Sequence, residues 1–111
     1  MADPLAQRKC KPCEGGAAPL PENAARLLLA DVQGWELVDG TMIRKTIACN
    51  DFFHAVSVIQ RIAPIAEAED HHPDLHLTNY RKLTIELSTH AIGGLSENDF
   101  ILAAKIDQLL S

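Results

Sequence analysis

Leu75-His76-Leu77-Thr78-Asn79-Tyr80-Arg81-Lys82-Leu83-Thr84-Ile85-Glu86-Leu87-Ser88 is the stretch whose reading decides the fold. Leu75 and Leu77 alternate with His76 and Thr78, while Leu83, Ile85 and Leu87 alternate with Thr84, Glu86 and Ser88. A period of two residues belongs to a strand with one buried and one exposed face. Asn79 and Tyr80 fall between the two runs, so the segment predicts two strands joined by a turn.

Upstream, a second pair has the same character. Trp35-Glu36-Leu37-Val38 is a short strand, and Asp39-Gly40 is a strong hairpin turn because both central positions need positive φ. Met42 to Ala48, rich in β-branched residues, is the return strand; Ile43 and Ile47 share a face with Lys45, so that face is mixed. Between the pairs, Asn50 or Asp51 caps a long helix. Its Phe52, Phe53, Val56, Ile59, Ile62 and Ala63 cover more than one side, which suggests burial on two sides, one of them by a partner subunit. Pro64 removes one backbone bond inside this helix and predicts a kink, after which Ile65, Glu67 and Ala68 resume the helical spacing. Glu67 and His71 are then i, i+4 neighbours on one face. Pro73 closes the helix and pushes His72 toward an extended backbone.

Further out, Pro21 opens a first helix with Ala24, Leu27, Leu28 and Val32 as its apolar face and Gly34 as a left-handed stop. Residues 1–20, with Gly15-Gly16 and prolines at 4, 12 and 19, read as an N-terminal arm that is ordered only where it docks. Beyond Ser88, Gly93-Gly94 breaks the chain, and Ser96 caps a last helix with Ala103, Ile106, Leu109 and Leu110 inward. The order α-β-β-α-β-β-α is that of one α+β domain, residues 21–111. It predicts a four-stranded antiparallel sheet with three helices packed on one face. The bare sheet face or an unpaired edge needs protection, and self-association is the simplest way to supply it.

Composition narrows the function. The chain has 111 residues and a formal charge of −5. That charge argues against the phosphate attraction that dominates nucleic-acid binding and against a polybasic membrane contact. No apolar run approaches the roughly 18 residues of a membrane span. Met1 to Gly16 holds no apolar stretch suited to a signal peptide, so a cytoplasmic protein is expected. Only five residues are aromatic (Trp35, Tyr80 and three phenylalanines), so Trp35 and the phenylalanines are expected to matter to packing. Cys10 and Cys13 form a lone C-x-x-C in a basic, loop-like segment, and Cys49 stands apart. A zinc site would need two further ligands and a redox motif a preceding strand, so a reduced, incidental pair is the expected state.

The chemistry-bearing residues concentrate in Glu67-Ala68-Glu69-Asp70-His71-His72-Pro73 and in Ser88-Thr89-His90, with Asp99 following. Imidazole exchanges protons near neutrality without a perturbed environment, so three of them with two carboxylates suggest proton transfer or metal binding. Each has a bland reading beside it. His71 and His72 suit a helix C-terminus, and Ser96-x-x-Asp99 is the pattern of a capping box. His90 lies just beyond a strand, where functional loop residues gather. His76 is expected exposed on its strand and His54 on its helix. Glu67, His71, His72, His76 and His90 include enough ligands for zinc. Adjacent histidines diverge, however, and neither H-E-x-x-H nor a paired C-x-x-C is present.

The run Glu67-x3-His71-His72-Pro73, six residues, Tyr80, nine residues, His90, eight residues, Asp99 resembles the signature of the pterin-4a-carbinolamine dehydratases. Similarity extends from about Pro21 to Leu110 through Trp35, Asp39-Gly40, Phe52-Phe53 and Gly94-Leu95-Ser96-Glu97, and the arm Lys11-Pro12-Cys13-Glu14-Gly15-Gly16 is similar to that of bacterial members. The resemblance implies the same α+β fold, assembled as a homodimer or a homotetramer through the long helix. It implies a hydro-lyase that converts 4a-hydroxytetrahydropterin to quinonoid dihydropterin and so recycles the cofactor of aromatic amino-acid hydroxylases. No metal and no redox cofactor are implied, and the expected partner is a pterin rather than nucleic acid or membrane. By the family's motif His71, His72 and His90 are catalytic and substrate-binding, and Glu67 and Asp99 orient the imidazoles. Pro73, Thr89, Ala91 and Ile92 are expected to line the pterin pocket. The competing reading is a dimerisation cofactor, a role that animal members also serve.

Overall fold

In the computed structural model, which describes residues 4–10 and 18–110, the two alternating runs pair antiparallel, with Leu75 opposite Ile85 and Leu77 opposite Leu83. Along the chain the elements are α1 (Pro4–Gln7), α2 (Glu22–Leu29), β1 (Glu36–Val38), β2 (Met42–Ala48), α3 (Phe52–Glu69), β3 (Asp74–Thr78), β4 (Lys82–Leu87), a 3-10 turn (His90–Ile92) and α4 (Glu97–Leu110). The sheet order is β1-β2-β4-β3, every neighbour antiparallel. Both hairpins turn through paired left-handed residues, Asp39 and Gly40 in one, Asn79 and Tyr80 in the other. This is the expected α+β architecture, with the short helix α1 added from the arm. Among the described residues no helix is long and apolar enough to cross a membrane.

One face of the sheet carries Ile43, Leu83, Ile85 and Leu87, all fully buried against the helices. Lys45 stands on that face, opposite Ile85. Its ammonium leaves the core by reaching α4: Nζ donates to Asp107 Oδ1 at 2.7 Å and to the Gln33 carbonyl at 2.8 Å, and Trp35 Nε1 donates to the same Asp107 oxygen at 2.9 Å. The mixed face is thereby reconciled with burial. On the other face Arg44 pairs with Glu36 and Glu86, His76 with Glu86, and Thr46 with Thr84. A face laced with ion pairs tolerates water without a covering layer.

α4 is buried more widely than its heptad spacing predicts, from Phe100 through Ala104, because it is covered from two sides. α3 lies along it, and α1 folds back onto it with Leu5 fully buried. Several local expectations give way. α2 ends at Leu29, before Gly34, and buries Ala25, while Leu27 points outward at 76% exposure. Among the aromatics Trp35 and Phe100 pack inside, but Phe52 and Phe53 are exposed, the latter at 83%. α3 runs unbroken through Pro64 from Phe52 to Glu69, so the helical spacing resumes beyond the proline as expected. Pro64 sits on its solvent side, where the freed carbonyl can meet water. α3 stops at Asp70, in left-handed conformation, before Pro73 is reached. Asp51 caps its other end, accepting the His54 N–H at 2.7 Å. Cys13 and the rest of 11–17 lie outside the described residues.

Candidate active site

Helix α3 delivers the first two histidines through its termination. Asp70 (φ 51°) turns the chain left-handed, and the His71 N–H reaches back to the Ala66 carbonyl at 3.2 Å, the six-to-one bond of a Schellman stop. That turn cancels the i, i+4 relation expected between Glu67 and His71. Glu67 bonds instead to Nε2 of His72, at the exposed rim. His71 turns inward, its side chain 12% exposed, and its Nε2 lies 2.6 Å from Asp99 Oδ1.

Asp99 belongs to the first turn of α4 and has no exposed surface. Its second oxygen accepts the Ser96 N–H at 2.9 Å, as the capping-box spacing predicts, and the Thr89 hydroxyl at 2.8 Å. Thr89 in turn accepts from the Ser96 hydroxyl at 2.8 Å. Cap and histidine support are thus one carboxylate. A carboxylate facing Nε2 favours the tautomer with its proton there and leaves Nδ1 as the basic nitrogen. Burial strengthens this bond by excluding competing water.

β4 ends at Leu87, and the chain crosses to Thr89, whose backbone pairs with Gly94 on both sides of the small loop that carries His90. Gly94 is needed there: a Cβ would come within 2.8 Å of Pro19. Among the described residues no hydrogen bond from the His90 ring to protein is found, and the residue is exposed.

His71, His72 and His90 all line one cleft of about 530 Å³, a volume suited to a small ligand. His71, His72, Thr89, His90 and Ala91 line it, whereas Pro73 and Ile92 do not. Neither Glu67, exposed at the rim, nor Asp99, buried against His71, is on the lining. Among the described residues no three His, Cys, Asp or Glu side chains are grouped to hold a metal ion. His76, half-exposed and paired with Glu86, and His54, at the start of α3, are elsewhere.

Six lining residues were not expected in the pocket from sequence: Cys10, Ala68, Glu69, Asp70, Ser88 and Asn98. Cys10 comes from the arm; its N–H donates to Glu69 Oε1 at 2.7 Å and its thiol to the Asn98 carbonyl at 3.6 Å. Burial, reinforced by the negative charge of Glu69, pushes the Cys10 thiol up to about 12. The partners are 59 and 88 residues apart, so no local spacing could announce them.

The family model described as pterin 4 alpha carbinolamine dehydratase matches residues 18–109. The chain belongs to that family. A protein of Nitrosomonas eutropha, assigned by its name to the pterin-4-alpha-carbinolamine dehydratases, is 48% identical over 96% of this chain and 93% of its own. The mitochondrial pterin-4-alpha-carbinolamine dehydratase 2 of Arabidopsis thaliana is 45% identical over 98% of this chain and 60% of its own. A crystal structure from Brucella melitensis, described as a transcriptional coactivator/pterin dehydratase, superposes with a TM-score of 0.77 at 30% identity. It covers 84% of this chain and 99% of that one. The pterin dehydratases are hydro-lyases.

Proposed function

We propose that the protein dehydrates 4a-hydroxytetrahydropterin to quinonoid dihydropterin in the histidine cleft. The observation that carries this reading is the convergence of His71, His72 and His90 on one cleft, with His71 held by a fully buried carboxylate. Loss of water breaks the C4a–O bond and forms the C4a–N5 double bond. One proton must reach the departing hydroxyl and one must leave N5. Imidazoles accept and deliver protons at neutral pH, typically contributing ~10²–10⁴-fold.

In this reading His72 and His90 flank the C4a–N5 bond as acid and base. Glu67 orients the first, and the second has no competing protein partner among the described residues. His71, fixed by Asp99, orients the ring and shares the proton work. The oxidising equivalents stay in the pterin throughout, so the step is redox-neutral. The product is the species that a reductase returns to the tetrahydro form, and the enzyme thereby recycles the cofactor of aromatic amino-acid hydroxylases. The exposed Phe52 and Phe53 on α3 support assembly as a homodimer or homotetramer through that helix.

The assay follows carbinolamine made in place by a hydroxylase. Adding the protein is expected to accelerate its disappearance well beyond the spontaneous rate; an unchanged rate would refute the proposal. A second reading, a dimerisation cofactor for a DNA-binding protein, is favoured by the coactivator description of the Brucella relative. It requires a stable protein complex that persists when turnover is absent.

A further inference from the structure

The arm is fastened along its length by groups that the histidine chemistry does not use. Lys105 Nζ donates to the Ala6 carbonyl at 2.8 Å and lies 3.8 Å from Glu69 Oε2. The other oxygen of Glu69 accepts the Cys10 N–H at 2.7 Å. Leu5 is seated in the core, Arg8 pairs with Glu97 at 3.1 Å, and the Cys10 thiol donates to Asn98. Glu69, only 8% exposed in its side chain, thus holds the arm at Cys10 through one oxygen and faces Lys105, which holds the arm at Ala6, with the other. Cys10, Glu69 and Asn98 line the same cleft as the three histidines. Leu5 and Ala6 cover α4. Cys10, beyond these two, is part of the cleft lining.

Resting on the dehydratase reading, we infer that the docked arm, residues 4–10, is a substrate-binding wall, in which Cys10 contacts the bound pterin as an uncharged surface. The wall touches the substrate before and during the reaction alike. Its loss removes uniform binding, which raises KM and leaves kcat in place. The thiol needs no reactivity for this role, and burial keeps it protonated.

Two measurements on the full chain test the wall. Leu5→Asp removes the anchor without touching the cleft; KM for the carbinolamine is expected to rise about fivefold or more with kcat within about twofold. In the parent, a saturating, non-reacting dihydropterin is expected to slow alkylation of Cys10 by iodoacetamide about fivefold or more, read by peptide mass spectrometry at about pH 9. A folded Leu5→Asp variant with lowered Tm and unchanged KM would reduce the arm to a structural strap and overturn the inference. Equal alkylation of Cys10 with the dihydropterin demonstrably bound, by fluorescence quenching, would overturn it as well. Should Leu5→Asp fail to fold, the protection measurement on the parent decides alone. A parent that neither turns over nor binds pterin sinks the dehydratase reading and the wall with it. A parent that turns over while Cys10 stays unprotected sinks the wall alone.

Discussion

The Asp99 carboxylate meets no water and accepts or shares three hydrogen bonds, with His71, Thr89 and the Ser96 N–H. Asp99→Ala leaves those groups without their partner, and an unsatisfied buried polar group is expensive. We expect a loss on the order of 3 kcal/mol, measured by urea unfolding. Asp99→Asn keeps the volume but presents an amide that can donate to Nε2, reversing the favoured His71 tautomer. Its kcat is expected to fall roughly 10²-fold with a changed pH–rate profile and a smaller change in Tm. Spacing offered only the cap, and the resemblance implied that Asp99 orients an imidazole without saying which one. The cap was readable because Ser96 and Asp99 are three apart; the bond to His71 spans 28 positions and appears only once α3 and α4 are packed. Cys10 gives a second test at this scale. With its thiol raised to about 12, roughly a thousandth is thiolate at about pH 9, and alkylation should climb steeply between about pH 9 and 12. The sign follows for stability. The folded state holds this proton more tightly than the unfolded chain, so the contribution is present below the unfolded pKa and is lost as pH rises through the folded one. Rapid alkylation at neutral pH would contradict the placement of the arm.

At the scale of elements, β2, the Trp35 corner and α4 are tied by one carboxylate. Asp107 takes bonds from Lys45, Trp35 Nε1 and the Gln33 N–H. Asp107→Ala strands a mostly buried ammonium, and a cost of about 3 kcal/mol is expected in urea unfolding. A cost near zero would mean that Lys45 escapes to water. Tyr80 sits at φ 54° in the β3–β4 turn, a conformation that penalises a side chain with a Cβ. Tyr80→Gly should therefore stabilise by about 1 kcal/mol after the loss of the Arg81 contact is counted, raising Tm. The strands were legible because alternation is a local property, and both hairpin turns lie where the sequence put them. Helix ends were less so. The stop of α3 depends on Asp70 adopting a left-handed conformation, which its residue type permits but does not announce. That single residue redirected Glu67 from His71 to His72.

For the whole molecule, among the described residues the N-terminal part of α3 presents two adjacent exposed aromatics, Phe52 and Phe53, the latter at 83% exposure. Phe53→Glu is expected to shift the sedimentation mass toward the monomer while leaving the circular dichroism spectrum intact; an unchanged mass would remove α3 from the proposed interface. The architecture was readable from the order of periodic segments, but the docking of the arm was not. Leu5 lies in a short stretch without periodicity, and its burial depends on a surface of α4 assembled far along the chain. The same holds for the cleft: its histidines could be named from sequence, whereas the wall contributed by Cys10 required the fold. What the reading of the molecule depends on is proton exchange by three imidazoles around one small ligand. The most direct measurement is the dehydration rate of carbinolamine generated in place, compared between the parent and folded His71→Ala, His72→Ala and His90→Ala variants. Each variant is expected to lose roughly 10²-fold or more in rate with its circular dichroism spectrum and Tm near those of the parent. Three variants as fast as the parent would contradict the account.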